Sequence, residues 1–167
     1  MPCTRLISPN NMTANNAPTP YQALAESEFS TSNKAYQAFD GLWESSVWAS
    51  SVGHMPTWLI IDLGSAKLCC AYGLRSLSVN YPKDWTFSGS NNGTDWTVLD
   101  TQTDQTLYFY QDWYGTIENE TEYRYYKWDF TESSDTIIVL GEAKVYAEEI
   151  AGIRDVISTG CVPFERT

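Results

Sequence analysis

From about Tyr21 onward, apolar and polar residues alternate over short spans. Trp58, Ile60 and Asp62 stand against Leu59, Ile61 and Leu63; Trp85 and Phe87 against Thr86 and Ser88; Trp96 and Val98 against Thr97 and Leu99. A period of two over a few residues is the mark of a strand, because successive side chains leave a strand on opposite faces. Asn91-Asn92-Gly93, between two such runs, has the chemistry of a tight turn and predicts a hairpin. Further strands are predicted over Ala71 to Ser78, Tyr123 to Phe130, Thr136 to Leu140 and Ala143 to Tyr146. Many short strands without a long helical period predict an all-β sandwich. Residues 1–20, rich in Asn, Thr and Pro, are expected to form an N-terminal arm, and residues 21–148 the domain. In residues 149–167, Ile150, Ile153, Val156 and Ile157 have helix-like spacing, and this C-terminal extension is expected as either a short helix or an extended arm.

A chain of 167 residues suits one domain, large enough to bury roughly 70% of the surface its unfolded form exposes. With 7 Trp and 11 Tyr it carries more rings than Val, Ile and Leu packing requires, so some are expected to face solvent or a partner. The net charge of −11 lacks the clustered basic footprint that phosphate backbones demand, which argues against nucleic acid. The same carboxylates either form a solvated acidic surface or serve a hard cation such as Ca²⁺. No run reaches the roughly 18 apolar residues of a membrane span, and the first 20 residues hold no hydrophobic signal-peptide core. The expectation is a protein made soluble in the cytoplasm, which reaches an extracellular or virion surface by another route.

An enzyme is not expected. His54 is the only histidine, so a nucleophilic relay must be built on it, and no GxSxG elbow accompanies it. Cys3, Cys69, Cys70 and Cys161 lack zinc-ligand spacing. Cys69 and Cys70 point to opposite faces of any strand, and at least one is expected to be a small buried hydrophobe.

Five ordered blocks carry a resemblance: AYQAFDG (35–41), VWASS (47–51), PTWLIIDLG (56–64), YPKDWTFSGSNNGTDWTVL (81–99) and GEAKVYA (141–147). Together they resemble the discoidin, or coagulation-factor C-type, domains and the bacterial family 32 carbohydrate-binding modules, over roughly residues 20–148. The resemblance implies a discoidin-like jelly-roll β-sandwich, galactose-binding-like, that binds and does not catalyse. It also implies a structural Ca²⁺ held by Asp40 and Glu142, with the carbonyls of Ala38 and Ala143 and the hydroxyl of Ser46 as further ligands. Against that stands a plain structural role, with Asp40 capping the turn at Gly41 and Glu142 in a hydrogen bond or ion pair. Some members tie their ends with a disulfide, which here implies Cys3 with Cys161.

In this family the ligand is held by loops at one end of the sandwich, and the matching segments are Glu26 to Lys34, Leu42 to His54 and Leu77 to Asp84. A sugar needs an aromatic ring against its apolar face and planar polar groups on its hydroxyls. Trp43, His54, Arg75, Asn80 and Tyr81 supply that chemistry. Tyr108 to Tyr123 concentrates Tyr108, Tyr110, Trp113 and Tyr114, as either an aromatic recognition loop or a contact with another subunit. Trp48, Trp58, Trp85, Trp96 and Trp128 are assigned to packing. Membrane-binding relatives surround hydrophobic spikes with basic residues, which this acidic chain lacks, so membrane insertion is not expected. The reading is a carbohydrate-binding or cell-adhesion module whose partner is a glycan. The alternative is a phage or virion decoration subunit, a homo-oligomer or part of a larger surface assembly, using its two extensions to dock neighbours.

Overall fold

A computed structural model describes residues 2–149 and shows antiparallel strands with one 3-10 turn, Ala35–Ala38, and no α-helix among those residues. The strands are β1 Arg5–Leu6, β2 Gln22–Ala25, β3 Trp48–Ala49, β4 Thr57–Lys67, β5 Ala71–Arg75, β6 Pro82–Ser90, β7 Thr97–Gln102, β8 Asp112–Thr116, β9 Tyr123–Ser133, β10 Val139–Leu140 and β11 Glu142–Ala147. A five-stranded sheet runs β2-β4-β9-β6-β7, a four-stranded sheet runs β1-β11-β5-β8, and β10 pairs with β3.

The alternation predicted for β4 sends Leu59, Ile61 and Leu63 into the core, as the pairing of that strand between β2 and β9 requires. Trp85 and Phe87 of β6 and Tyr126, Trp128 and Phe130 of β9 face the same interior, met from the other sheet by Tyr72, Leu74, Ala143 and Val145. The hairpin at Asn91 to Gly93 joins β6 to β7, with Gly93 at φ 74, a left-handed turn position that glycine takes without a Cβ clash. Trp96 departs from its expected packing role: it lies half-buried with the Lys127 ammonium 4.5 Å from its ring centre, because Leu99 is the residue of that segment packed on the core. Trp58, also assigned to packing, is only half-buried, on the face of β4 opposite Leu59.

The first twenty residues are not a free arm. Arg5 and Leu6 pair with Ala147 and Tyr146, Met12 is buried in the core, and Ser8 Oγ accepts from the Val145 N–H at 3.0 Å. Cys3 is bonded to Cys70, not to Cys161, which lies outside the described residues. The register explains the choice, since Ala147 of β11 is opposite Arg5 on one side and Ala71 is opposite Tyr146 on the other, so Cys3 and Cys70 meet around the end of β11. Cys69, one residue earlier, points into the core and is fully buried, and burial pushes its thiol up to about 12.

Antiparallel pairing places the C-terminal ends of β2, β5, β7 and β9 and the N-terminal ends of β4, β6, β8 and β11 at one end of the sandwich. The disulfide and the Asn91 hairpin mark the opposite end. The disulfide closes a loop of 67 residues, a constraint on the unfolded chain worth about 4 kcal/mol in the chain-entropy picture. Cys3→Ser is therefore expected to lower the unfolding free energy by about 2–4 kcal/mol. Denaturant titration checks it, and an unchanged midpoint together with a Cys3–Cys161 peptide after non-reducing digestion would refute the pairing.

Candidate functional site

Several connections converge at the end opposite the disulfide, and four of these segments are stitched in sequence through their backbones. Phe29 N–H donates to Ala49 C=O at 2.8 Å, Ser50 N–H to Ile138 C=O at 3.0 Å, Val139 N–H to Asn80 C=O at 2.8 Å and Ser134 N–H to Tyr81 C=O at 2.9 Å. The loop after β2 is further pinned by Glu28, which accepts from Lys34 Nζ at 2.6 Å, Ala35 N–H at 2.9 Å and Asn15 Nδ2 at 3.0 Å. Burial pushes the Glu28 carboxyl up, but those hydrogen bonds outweigh it and hold the group below its ordinary value.

The expected site residues fall into two places on this end. On the edge nearer β2, His54 Nδ1 lies 3.5 Å from Glu26 Oε1, and the His54 side chain is half exposed. Phe29 in the same loop is exposed. Between the two places, Asn80 has a buried Oδ1 without a hydrogen-bond partner, and Tyr81 packs half-buried against the core. On the other edge, the Arg75 guanidinium lies 4.2 Å from the centre of the Trp43 ring. Arg75 is held there by a two-pronged pair with Asp112, Nε to Oδ1 at 2.7 Å and Nη2 to Oδ2 at 2.8 Å. Trp43 meets Tyr110 edge-on at 6.1 Å.

Trp113 is half-buried at the margin of this surface, with its ring turned toward the core. It belongs to β8, the edge strand that the aromatic segment turns out to contain, and its ring packs 4.9 Å from Trp85 and 5.1 Å from Tyr72. Its Nε1 donates to Gln105 Oε1 at 3.1 Å. The exposed rings of the segment are Tyr108, Phe109, Tyr110 and Tyr114. Sequence reading missed Phe109 and Asp112 as partners of the Trp43 edge; the bidentate geometry of Asp112 appears only once β5 and β8 are paired.

Beside the Trp43 edge are the residues that the resemblance nominates for calcium. Asp40 Oδ1 accepts from Leu42 N–H at 2.8 Å across Gly41, whose φ is 75. Asp40 thus does form the turn cap expected of a structural residue. Glu142 is 4% exposed; its Oε2 lies 3.3 Å from Lys144 Nζ, while its Oε1 is buried without a partner. Burial pushes the Glu142 carboxyl up, the Lys144 ammonium and Arg75 pull it back, and the nearby Asp40 charge adds to the rise. Ser46 is buried, its Oγ accepting from Gln37 Nε2 at 2.7 Å. No three His, Cys, Asp or Glu side chains group for a metal among the described residues. A cation at Glu142 would therefore take its remaining ligands from carbonyls such as those of Ala38 and Ala143 and from hydroxyls. An orphaned carboxylate oxygen next to a second carboxylate fits a hard, oxygen-seeking cation.

No protein-family model matches the sequence, and no curated protein does. Among solved structures the chain is similar to chitosan-binding module 1 of a chitosanase/glucanase from Paenibacillus sp. IK-5, at 25% identity and a TM-score of 0.71, over 86% of this chain and 100% of that one. Module 2 of the same enzyme, solved with chitotriose, is similar at 20% identity and a TM-score of 0.71, over 84% of this chain and 99% of that one. The family 32 module of C. perfringens NanJ, solved with galactose, is similar at 20% identity and a TM-score of 0.63, over 76% of this chain and 93% of that one. The fold is that of these carbohydrate-binding modules.

The raised Glu142 pKa has a stability consequence in the absence of divalent cations. Its protonated form contributes stability that is complete below the ordinary value of 4.5 and lost as pH rises through the higher folded value. Lys144, Asp40 and Arg75 face the same carboxyl. In chelator, Glu142→Gln is expected to flatten the fall in melting temperature above pH 4.5. Parallel pH–melting curves for the two proteins would show that Glu142 is not the titrating group.

Proposed function

We propose that this chain is a non-catalytic carbohydrate-binding module of the discoidin-like kind. It holds a glycan at the loop end of the sandwich, on an extracellular or virion surface, and a structural Ca²⁺ at Asp40 and Glu142. The observation that carries the reading is the gathering, at one end of the fold, of exposed rings and planar polar groups. Phe29, Tyr108, Phe109 and Tyr110 are exposed there, beside the guanidinium of Arg75, the imidazole of His54 and the carboxamide of Asn80. Rings cover the apolar faces of pyranoses, and planar donors and acceptors pair with their hydroxyls. Supporting it, the structures of similar fold include modules bound to chitotriose and to galactose.

The glycan class that suits the charge is one bearing amino groups. A chain of net charge −11, with Glu26 and Glu44 at this end, attracts ammonium-bearing sugars and repels sulfated or sialylated ones. The assembly alternative draws no support from the similar structures, and most of the extension on which it leaned lies outside the described residues. Ca²⁺ would be held by Glu142 Oε1, Asp40, the Ser46 hydroxyl and the Ala38 and Ala143 carbonyls. It would neutralise the two neighbouring carboxylates and tie the loop after the 3-10 turn to the start of β11.

Two measurements test this. A glycan array on the full-length protein is expected to show specific binding, strongest for glucosamine-containing chains; silence from folded protein would overturn the module reading. Saturating Ca²⁺, at about a hundred times its dissociation constant, is expected to raise the melting temperature by about 5–10 °C over chelator, an effect removed by Glu142→Gln. A melt indifferent to Ca²⁺ would leave Asp40 and Glu142 as a turn cap and an ion pair.

A further inference from the structure

The connection between β7 and β8 presents an anomaly. Tyr108, Phe109 and Tyr110 are 67%, 50% and 54% exposed, although covering such rings is what stabilises a fold. Contiguous exposed aromatic surface of this kind marks a contact site. The segment is held in place. Leu107 is buried beneath it, the Gln111 N–H donates to Tyr108 C=O at 3.1 Å, and Tyr110 sits at φ 63. A left-handed tyrosine costs about 1–2 kcal/mol, and such strain persists where the surroundings fix it, most often at functional sites.

What that backbone does is aim the ring. Tyr110 stands edge-on to Phe109 at 4.2 Å and edge-on to Trp43 at 6.1 Å, forming one ledge from two distant parts of the sequence. Trp43 is backed by Arg75, and the Asp112 that fixes Arg75 also lies 3.7 Å from Lys144 Nζ. The ledge is flanked by two shallow clefts. One, of about 320 Å³, is lined by Gly41, Leu42, Trp43, Glu44 and Ser45. The other, of about 190 Å³, is lined by Thr106, Leu107, Tyr108, Gln111, Asp112 and Trp113.

We propose that an extended oligosaccharide, of two or more pyranose units, lies along this ledge with Tyr110 at its middle, rather than a single terminal sugar seated beside His54. The inference rests on the carbohydrate-binding reading and names where and in what form the glycan binds. Each cleft pairs a ring with side chains that accept from hydroxyls or ammonium groups, Trp43 with Glu44 and Ser45 at one end, Tyr108 with Gln111 and Asp112 at the other. That alternation of apolar face and polar edge suits successive sugar units. Neither cleft encloses a monosaccharide, so affinity must be gathered over several units. Glu44 in the first cleft gives that end of the ledge a charge suited to an amino sugar, whereas Asp112 in the second is already paired with Arg75 and accepts there only as a hydrogen-bonding group.

The test is calorimetric titration of the full-length protein with a glucosamine hexamer, the N-acetylglucosamine hexamer and the two monomers. Tyr110→Ala, Phe109→Ala and a Glu26→Ala/His54→Ala double variant are compared with the unaltered chain, and their melting temperatures report folding. At least one hexamer is expected to bind tenfold or more tightly than its monomer. Tyr110→Ala is expected to weaken the hexamer about tenfold and to narrow the hexamer-to-monomer ratio, while Tyr110→Phe keeps both. Hexamer binding that survives Tyr110→Ala and Phe109→Ala but is lost in the Glu26/His54 variant would overturn the ledge and leave the carbohydrate-binding reading intact. Absence of binding by every probe would overturn the ledge, and with a silent glycan array it would overturn that reading too. Self-association that disappears in Tyr110→Ala, without glycan binding, would identify the ledge as a contact between copies and overturn the proposal.

Discussion

A single buried phenol joins the two layers of this protein. Tyr72 of β5 is inaccessible to solvent, its ring stacked on Phe87 of the other sheet at 4.1 Å and an interplanar angle of 13°. Its hydroxyl donates to Asp100 Oδ2 on β7 at 2.7 Å and accepts from the Trp85 Nε1–H on β6 at 2.9 Å. A hydroxyl removed from water without partners costs several times the net worth of a hydrogen bond, so this one fixes the relative position of β5, β6 and β7 or destabilises all three. Burial and the adjacent Asp100 carboxylate push its pKa far up, which keeps the donor proton in place across the ordinary pH range.

The loop end inherits its geometry from that join. Trp113 packs against Tyr72 and Trp85, which anchors edge strand β8 through a ring that faces inward. Once β8 is anchored, Asp112 at its first position lies opposite Arg75, and Arg75 lies under Trp43. The aromatic surface is thus supported from beneath by an ion pair that depends on strand register, and the register depends on the packed interior. At the far end, the Cys3–Cys70 bond holds β1 and β5 around β11, whose opposite terminus is Glu142. One end of the sandwich is closed covalently while the other carries open loops, an arrangement that leaves the loop surface for a partner and ties the N-terminal segment to the sheet.

Much of this was legible in the sequence wherever one face of a strand meets the core and the other meets water or a neighbouring strand. The alternation in Leu59, Ile61 and Leu63 and in Trp85 and Phe87 shows β4 and β6 directly, and the Asn-Asn-Gly turn shows β7, the hairpin partner of β6. The resemblance singles out Asp40 and Glu142 as metal ligands, and what the structure adds is that both are buried. What stayed hidden has physical causes. β8 reads DWYGT, with aromatic residues on both faces, so alternation of hydrophobicity is lost although alternation of burial is present. β1 is two residues long and has no period to detect. The partner of Cys3 is set by where β11 ends, and cysteine connectivity is not encoded in spacing. Trp96 looked like core because Trp and Val alternate with Thr there; the hairpin instead turns Leu99 inward and leaves the indole to the Lys127 ammonium.

The same constraint explains why the excess of rings divides as it does. An interior of this width is already filled by Trp48, Trp85, Trp128, Tyr72, Tyr126, Phe39, Phe87 and Phe130, all essentially inaccessible. Further rings can enter only by displacing close-packed neighbours, which costs more than their exposure does. Tyr108, Phe109 and Tyr110 are therefore outside by necessity. Their clustering at one place, with a tyrosine held in a left-handed backbone, is not required by packing at all. A surface with no partner gains nothing from such an arrangement, since three separate exposed rings would leave the fold equally stable and without the backbone strain. The stability forgone at the ledge is intelligible as preorganisation, in which the rings are set during folding so that a ligand need not order them on binding.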